Sequence, residues 1–270
     1  MIKPYYRTVL IYLLFASLWI FFSDSLVAIL FTSADTIILV QSLKGFTFVA
    51  ATSVLLLLLM RADLQRLEKV NLQLRKSYDQ TLQGWVQVMD TRHKETGVHS
   101  LRVTRMTVKL ASLQGIEGDA LTHIARGALM HDTGKVGIPD SVLIKPGPLD
   151  KHELALMRTH PVIARDLMRD IEFLKPSIDI PYCHHERWDG SGYPEGLKGE
   201  AIPLAARLFA VVDVYDALLE ERVYKKGWAE DKTLEYIAAQ AGTLFDPQVV
   251  KLFLAHYPEI KDAANHPSLF

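Results

Sequence analysis

Imidazole and carboxylate side chains recur in four short groups along the chain. The longest group is HHERWDGSGYP at 184–194, preceded by HDTGK at 131–135 and ETGVH at 95–99, and followed by DVYDAL at 213–218. Imidazole nitrogens and carboxylate oxygens are the ligands that iron, manganese and zinc share in proteins. The set therefore predicts a centre for more than one metal ion, and such centres hydrolyse phosphate esters.

The spacing and setting of these residues differ in how strongly they indicate metal ligands. Glu95 and His99 are four residues apart, so they share one face of a helix, although most such pairs are surface pairs. Asp213 lies on an apolar segment that predicts burial, and a buried carboxylate needs a partner such as a metal ion. A lone histidine such as His160 is more often a solvated helix residue.

Two adjacent pairs carry a stronger signal. His131 and Asp132 end an apolar helix, where neighbouring side chains can reach two ions, and Lys135 follows as a cation suited to phosphate. His184 and His185 are consecutive at a predicted helix end, which suits two neighbouring ions in the same way. Each pair therefore predicts ligands for two neighbouring metal ions.

Together these motifs resemble the HD-GYP family, a subgroup of the metal-dependent HD phosphohydrolases that cleaves cyclic di-GMP. The resemblance runs from about Asp90 to Pro258 and includes HHERWDGSGYPEGLKG at 184–199 and GTLFDP at 242–247. It implies a phosphodiesterase that uses metal ions to activate a water molecule and releases pGpG, GMP or both. Two or three divalent ions are expected, with iron or manganese favoured and zinc, nickel, cobalt or magnesium compatible.

The resemblance also implies a role for each matching residue. The implied metal ligands are Glu95, His99, His131, Asp132, His160, His184, His185 and Asp213. His131, Asp132, His185 and Asp213 are the candidates for the core, and Glu95 with His99 would complete an optional third site. The implied substrate contacts are Tyr193, Arg222 and Lys225, with Gly190 and Gly192 shaping their loop. The candidates for chemistry are His131, Asp132, Lys135 and Asp216, where Lys135 would stabilise developing charge or protonate the leaving 3′ oxygen.

The chain departs from the family pattern after residue 218. Family members usually continue Thr-Ser-x-Arg-Pro-Tyr, whereas this chain reads LEERVY at 219–224. The added carboxylates could weaken binding of an anionic substrate, or they could face solvent. Two alternatives therefore stay open: a membrane-tethered sensor or scaffold that binds cyclic di-GMP with weak catalysis, and a phosphohydrolase acting on another nucleotide.

Two apolar runs precede these motifs. Residues 8–31 and 36–60 carry one charge each, Asp24 and Lys44, and each run is longer than the ~20 residues that cross a bilayer. Lys and Arg flank the outer ends but not the 32–35 connection, so we expect both termini and the catalytic part in the cytoplasm. The hairpin resembles the two-helix membrane modules of bacterial signalling enzymes, which implies the inner membrane of a bacterium. Asp24 and Lys44 either pair with each other or sit in interfacial water.

The segment between the membrane runs and the motifs predicts a signalling helix. Residues 61–90 have heptad spacing, which favours a parallel homodimer and, in a signalling enzyme, contacts with partner proteins. The alternative is a solvated spacer helix. The heptad positions are Leu64, Leu67, Asn71, Leu74, Tyr78, Thr81, Trp85 and Val88. The predicted domains are thus 1–60, 61–90 and 91–270.

The remaining sequence predicts an all-α domain. Helices are expected at 98–114, 119–131, 151–168, 177–186, 203–219, 231–241 and 247–255, joined by loops rich in Pro and Gly. The net charge of −1 gives no electrostatic basis for binding nucleic acid. A single cysteine, Cys183, excludes an internal disulfide.

Overall fold

The computed structural model describes residues 4–93, 98–220 and 227–265. Within these ranges the regular structure is helical apart from one isolated bridge between Ala241 and Phe245, which confirms the all-α prediction. The chain divides into two compact units, residues 1–78 and 79–270, and the division falls inside one long helix.

Twelve α-helices are assigned within the described ranges. They are α1 (Pro4–Leu30), α2 (Ala34–His93), α3 (Val98–Leu113), α4 (Gly118–Leu129), α5 (Asp140–Leu143), α6 (Lys151–Met157), α7 (His160–Met168), α8 (Asp179–Cys183), α9 (Leu204–Leu219), α10 (Glu230–Ala239), α11 (Pro247–Ala255) and α12 (Tyr257–Ala263). Three 3-10 turns lie at Thr133–Gly137, Lys175–Ser177 and Gly199–Ala201.

The first unit contains two helices that are long and apolar enough to cross a membrane, α1 and the start of α2. Most of their large apolar side chains are exposed. Trp19 of α1 packs on Phe48 of α2, with ring centroids 6.0 Å apart. Lys44 donates to the carboxylate of Asp24, as one of the two hypotheses for these charges predicts.

The predicted signalling helix is part of α2 and continues the second apolar run without a break. No proline interrupts residues 34–93, so the chain has no local reason to end the helix at residue 60. All eight heptad positions from Leu64 to Val88 are exposed. An apolar stripe of this kind is what a second helix would cover.

The second unit is built around α9. The segment from Leu208 to Val212 is almost entirely buried because it is apolar on all sides. The helix as a whole packs against α3, α8, α10 and α11. Phe209 lies at the centre of this core with no exposed surface. A central buried helix fixes the position of Asp213, one residue beyond that segment.

Two of the predicted helices differ from the structure. The helix predicted at 151–168 is divided into α6 and α7 because Pro161, at the start of α7, cannot continue the preceding helix. The helix predicted at 177–186 is shorter, since Lys175–Ser177 forms a 3-10 turn and α8 ends before His184. Residues 257–263, where no helix is expected, form α12, which has Pro258 in its first turn.

Candidate metal centre

Six potential ligands form two groups in the second unit. One group contains His160, His184 and His185, and the other contains His99, His131 and Asp213. Within each group the ligand atoms lie within 4.8 Å of one another. The residues come from α3, α7 and α9 and from the ends of α4 and α8, so only the tertiary fold brings them together.

The carboxylate of Asp132 lies between the two groups. Its Oδ2 is 3.0 Å from Nε2 of His131. Its Oδ1 is 3.4 Å from Nε2 of His160 and 3.9 Å from Nε2 of His184. One oxygen therefore faces each group, which is the arrangement that a carboxylate needs to contact ions in both.

Hydrogen bonds to the backbone fix the orientation of three imidazoles. Nδ1 of His131 is 2.9 Å from the carbonyl of Ala128. Nδ1 of His160 is 2.9 Å from that of Met157, and Nδ1 of His184 is 3.1 Å from that of Ile180. A carbonyl oxygen only accepts, so each Nδ1 carries the hydrogen and each Nε2 faces the centre, as in ligating histidines.

The contact between His160 and His184 indicates that a cation belongs between them. Their Nε2 atoms are 3.2 Å apart. Burial lowers the pKa of His160, and burial together with His185 holds the pKa of His184 well below its ordinary value, so both rings are neutral. With hydrogen on both Nδ1 atoms, two lone pairs face each other, and a metal ion satisfies both. The residues present therefore fit a metal ion.

His185 is also neutral and therefore able to coordinate a metal ion. Burial and the neighbouring His160 lower the pKa of His185 to about 4. A neutral imidazole is the form that coordinates metal ions, so this group stays ligand-competent at neutral pH.

His99 is held by a chain of charged groups. Its Nδ1 donates to Oδ2 of Asp216 at 2.6 Å, and its Nε2 lies 3.4 Å from Oδ1 of Asp213. Arg102 donates to both oxygens of Asp216, with Nη2 2.7 Å from Oδ2. Burial works to lower the pKa of His99, but Asp213 and Asp216 outweigh it and raise the pKa to about 10. Metal binding at this group therefore requires loss of a proton.

This geometry gives Asp216 a position behind His99. Asp216 orients the His99 ring in the manner of a carboxylate that supports a metal-bound histidine. His99, Asp216 and Glu220 also form a ligand-like cluster, but Arg102 already places its guanidinium against both carboxylates. We therefore interpret this third cluster as a hydrogen-bond network.

Lys135 supplies a positive charge directly at Asp132. Its Nζ lies 2.7 Å from Oδ2 of Asp132. Burial acts to raise the pKa of Asp132, but Lys135 and His131 outweigh it and hold the pKa well below its ordinary range. The carboxylate is therefore ionised and available as a ligand.

The glycine-rich loop places Tyr193 beside the histidines. The Tyr193 ring stacks on His185 with centroids 4.7 Å apart, and the guanidinium of Arg158 lies 5.2 Å from the Tyr193 centroid. Burial raises the pKa of Tyr193 to about 12, so its hydroxyl stays protonated and able to donate. Gly190 has φ 85°, and a Cβ at Gly192 would lie 2.4 Å from the backbone nitrogen of Arg187.

Glu186 holds this loop in place. Its Oε1 accepts from the backbone nitrogens of Glu195 at 2.8 Å and Gly196 at 3.2 Å, and its Oε2 accepts from that of Leu197 at 3.0 Å. Glu186 is 4 % exposed, so these three bonds replace the water that the carboxylate loses on burial.

Most of the predicted site residues are brought together. The structure gathers His99, His131, Asp132, Lys135, His160, His184, His185, Tyr193 and Asp213, with Gly190 and Gly192 in the adjoining loop. Glu95, Arg222 and Lys225 lie outside the described residues. Arg102, Arg158 and Glu186 were not predicted. The signal for Arg102 was its position three residues after His99 on one helix face.

Residues 71–249 match the family model described as HD domain. The match covers more than half of the chain. The chain belongs to the HD domain family. The HD domain lies almost entirely within the second unit and includes both ligand groups and the loop that carries Tyr193.

Curated relatives with the same region are named as cyclic dinucleotide phosphodiesterases. The cyclic di-GMP phosphodiesterase response regulator RpfG of Xanthomonas campestris is 42% identical over 65% of this chain and 47% of its own length. The 3'3'-cGAMP-specific phosphodiesterase 2 of Vibrio cholerae is 38% identical over 71% of this chain and 38% of its own length. A cyclic di-GMP phosphodiesterase of Thermotoga maritima is 39% identical over 63% of this chain and 47% of its own length. The chain thus spans half or less of these relatives, which support the HD-GYP assignment of its HD domain.

The role of Glu186 predicts the effect of one conservative change. Glu186→Gln brings an NH₂ group against backbone N–H donors, so at least one of three hydrogen bonds is lost. We expect the amides of residues 195–197 to exchange hydrogen about tenfold faster, because a buried N–H group left without an acceptor costs about 1–3 kcal/mol. Hydrogen exchange of the full chain, followed by mass spectrometry, measures this.

The matched control is Glu200→Gln, an exposed glutamate after the same loop. It should leave exchange at 195–197 unchanged. Unchanged exchange in Glu186→Gln would show that the carboxylate does not hold the loop.

Proposed function

We propose that the chain hydrolyses a phosphodiester bond of cyclic di-GMP and releases pGpG, GMP or both. The observation that carries this proposal is Asp132, an ionised carboxylate with one oxygen toward each of two histidine groups and Lys135 at its side. The names of the relatives support the choice of a cyclic dinucleotide as substrate.

The proposed cofactors are two or three divalent ions. The proposed ligands are His99, His131, Asp132, His160, His184, His185 and Asp213, with Glu95 for a third ion. Mixed histidine and carboxylate ligands favour iron or manganese and are compatible with zinc, nickel, cobalt or magnesium. When bound, such ions act as Lewis acids and lower the pKa of water.

The chain's own side chains would bind and orient the substrate. Lys135, beside Asp132, would neutralise a phosphate oxygen or give its proton to the leaving 3′ oxygen. Tyr193 would contact the base from its place against His185. Arg222 and Lys225 would hold the non-reacting phosphate oxygens. Asp216 would keep the His99 ring in position.

A second candidate substrate is 3'3'-cyclic GMP-AMP. The Vibrio cholerae relative named as specific for it matches 71% of the chain at 38% identity. The ratio of kcat/KM for the two cyclic dinucleotides decides between them. A higher value for cyclic GMP-AMP would replace cyclic di-GMP as the proposed substrate.

The first unit is proposed to anchor the enzyme in the bacterial inner membrane. α1 and the first part of α2 would form a two-pass hairpin, with both termini and the HD domain in the cytoplasm. The exposed heptad stripe of α2 supports a parallel homodimer, and the hairpin would pass signals from other proteins to the HD domain. We propose the functional division 1–60, 61–90 and 91–270.

Asp132 and His131 test the catalytic proposal. Asp132→Asn and His131→Ala should each lower turnover of cyclic di-GMP at least about 10³-fold, because each removes a group from the centre that stabilises the transition state. The assay uses the full chain, purified without oxygen, with nucleotides and bound metals quantified.

Asp170→Asn is the control, because its side chain is 86% exposed and lies away from the centre. It should retain wild-type turnover. Full activity of Asp132→Asn with metal still bound contradicts the assignment. Substrate binding by a metal-loaded wild type without product would favour the sensor alternative.

Leu67 and Leu74 test the proposed dimer. Both are exposed heptad positions, so Leu67→Glu combined with Leu74→Glu should place like charges at the helix interface and yield monomers. Light scattering of the detergent-solubilised full chain after size exclusion measures the mass. Gln73→Glu, exposed but outside the stripe, should leave a dimer. An unchanged mass in the double variant would place the dimer contact elsewhere.

A further inference from the structure

The last turn of α2 is hydrogen-bonded, through Arg92, to the segment that follows His131 and Asp132. Arg92 donates from Nη1 to the carbonyl of Val136 and from Nη2 to that of Ile138, both at 3.1 Å. Its Nε and Nη2 also donate to Oδ1 of Asp140, at 3.0 and 2.7 Å. Among the residues that the structure describes, these acceptors lie on 136–140, in the last part of the 3-10 turn Thr133–Gly137 or immediately beyond it.

That turn carries Lys135 and fixes the backbone from which its side chain reaches Asp132, with Nζ 2.7 Å from Oδ2. The backbone nitrogen of Lys135 donates to the carbonyl of Asp132 at 2.9 Å, and that of Ile138 donates to the carbonyl of Lys135 at 3.0 Å. Ile138 thus receives Arg92 at its carbonyl and holds Lys135 through its nitrogen. Two hydrogen bonds and the backbone of Ile138 therefore connect Arg92 to the backbone of Lys135, whose side chain carries the ammonium to Asp132.

The other side of the turn has no room to adjust. A Cβ on Gly134 would lie 1.8 Å from the carbonyl oxygen of His160, and one on Gly137 would lie 2.9 Å from Cδ1 of Ile163. Both neighbours belong to α7, which also carries a ligand of the first histidine group. The turn is therefore held between α7 and the guanidinium of Arg92, so a change on the Arg92 side moves the turn relative to α7.

The same part of α2 also contacts the helix that leads into His131. Val86 packs in a cluster with Leu129 and Met130. Asp79 forms a buried ion pair with Arg126 of α4, with Nε 2.8 Å from Oδ1. The end of α2 therefore packs against the chain on both sides of the His131–Asp132 pair, before it through Arg126 and after it through Arg92.

We infer that Arg92 is a positioning residue, through which the end of α2 sets the place of Lys135 relative to Asp132. This inference rests on the proposed function. Rotation or translation of the last turn of α2 alters the hydrogen bonds of Arg92 to Val136 and Ile138. The inference therefore means that a movement of α2, the helix that continues from the apolar hairpin, changes the turnover rate. Arg92 is 35% exposed at its side chain, so its removal leaves the hydrophobic core intact.

The test compares Arg92→Ala, Arg92→Lys and Asp140→Asn in the full chain. Arg92→Ala should lower kcat about tenfold or more through lost charged hydrogen bonds, with KM within about twofold. Its metal content should equal that of the wild type. Exchange of the amides of residues 135–138 should accelerate about tenfold as well. Arg92→Lys, which keeps a donor for the carbonyls, should recover part of both effects.

Asp140→Asn is the matched control, since it removes the ionic partner but leaves both carbonyl bonds. It should keep kcat within about twofold of the wild type. Wild-type kcat in Arg92→Ala, unchanged exchange at 135–138, or loss of metal would each overturn the inference. If the wild type turns over no cyclic dinucleotide, the proposed function fails, and the exchange measurement then decides alone whether Arg92 holds the turn.

Discussion

The rest of the site depends on one carboxylate, that of Asp132, whose side chain is only 16% exposed. A negative charge largely removed from water is stable only among cations and hydrogen-bond donors. Lys135 supplies part of this compensation at 2.7 Å from Oδ2 of Asp132, and His131 adds to it, at 3.0 Å, when its Nε2 carries a proton. Oδ1 instead faces His160 and His184, whose neutral rings present lone pairs. A carboxylate and imidazole lone pairs that face each other would be stabilised by metal ions. The helices that carry these ligands approach the centre from several directions.

Hydrophobic packing positions the helices of this centre, and hydrogen bonds of charged side chains position its loops. The apolar α9 fills the core and places Asp213, while its Phe209 lies against the ring of His131 with centroids 4.9 Å apart. Loops cannot be fixed by apolar packing in the same way, so carboxylates and guanidinium groups hold them. Glu186 binds three amides of the Tyr193 loop, and Arg92 binds two carbonyls beyond Lys135. Both are charged groups satisfied by backbone, which gives direction as well as strength.

The sequence predicted the all-helical class and most of the gathered ligands, because residue type and motif spacing are local information. Contacts between residues far apart in the chain could not be predicted from the sequence. Arg92 and Asp140 are 48 residues apart, and nothing local to either residue shows that they meet. Glu186 was visible in the motif, but its role depends on where the backbone of 195–197 returns. Pro161 was also visible, and the division of the helix predicted at 151–168 follows from its missing N–H.

The most direct test of the account is to locate the metal ions themselves. A crystal structure of the protein purified without oxygen, with anomalous scattering recorded at the iron, manganese and zinc edges, measures their number, identity and position. We predict one ion at His160, His184 and His185, a second at His99, His131 and Asp213, and Asp132 in contact with both. A single ion confined to one group, or full occupancy with Asp132 in contact with neither, would contradict the central role given to this carboxylate.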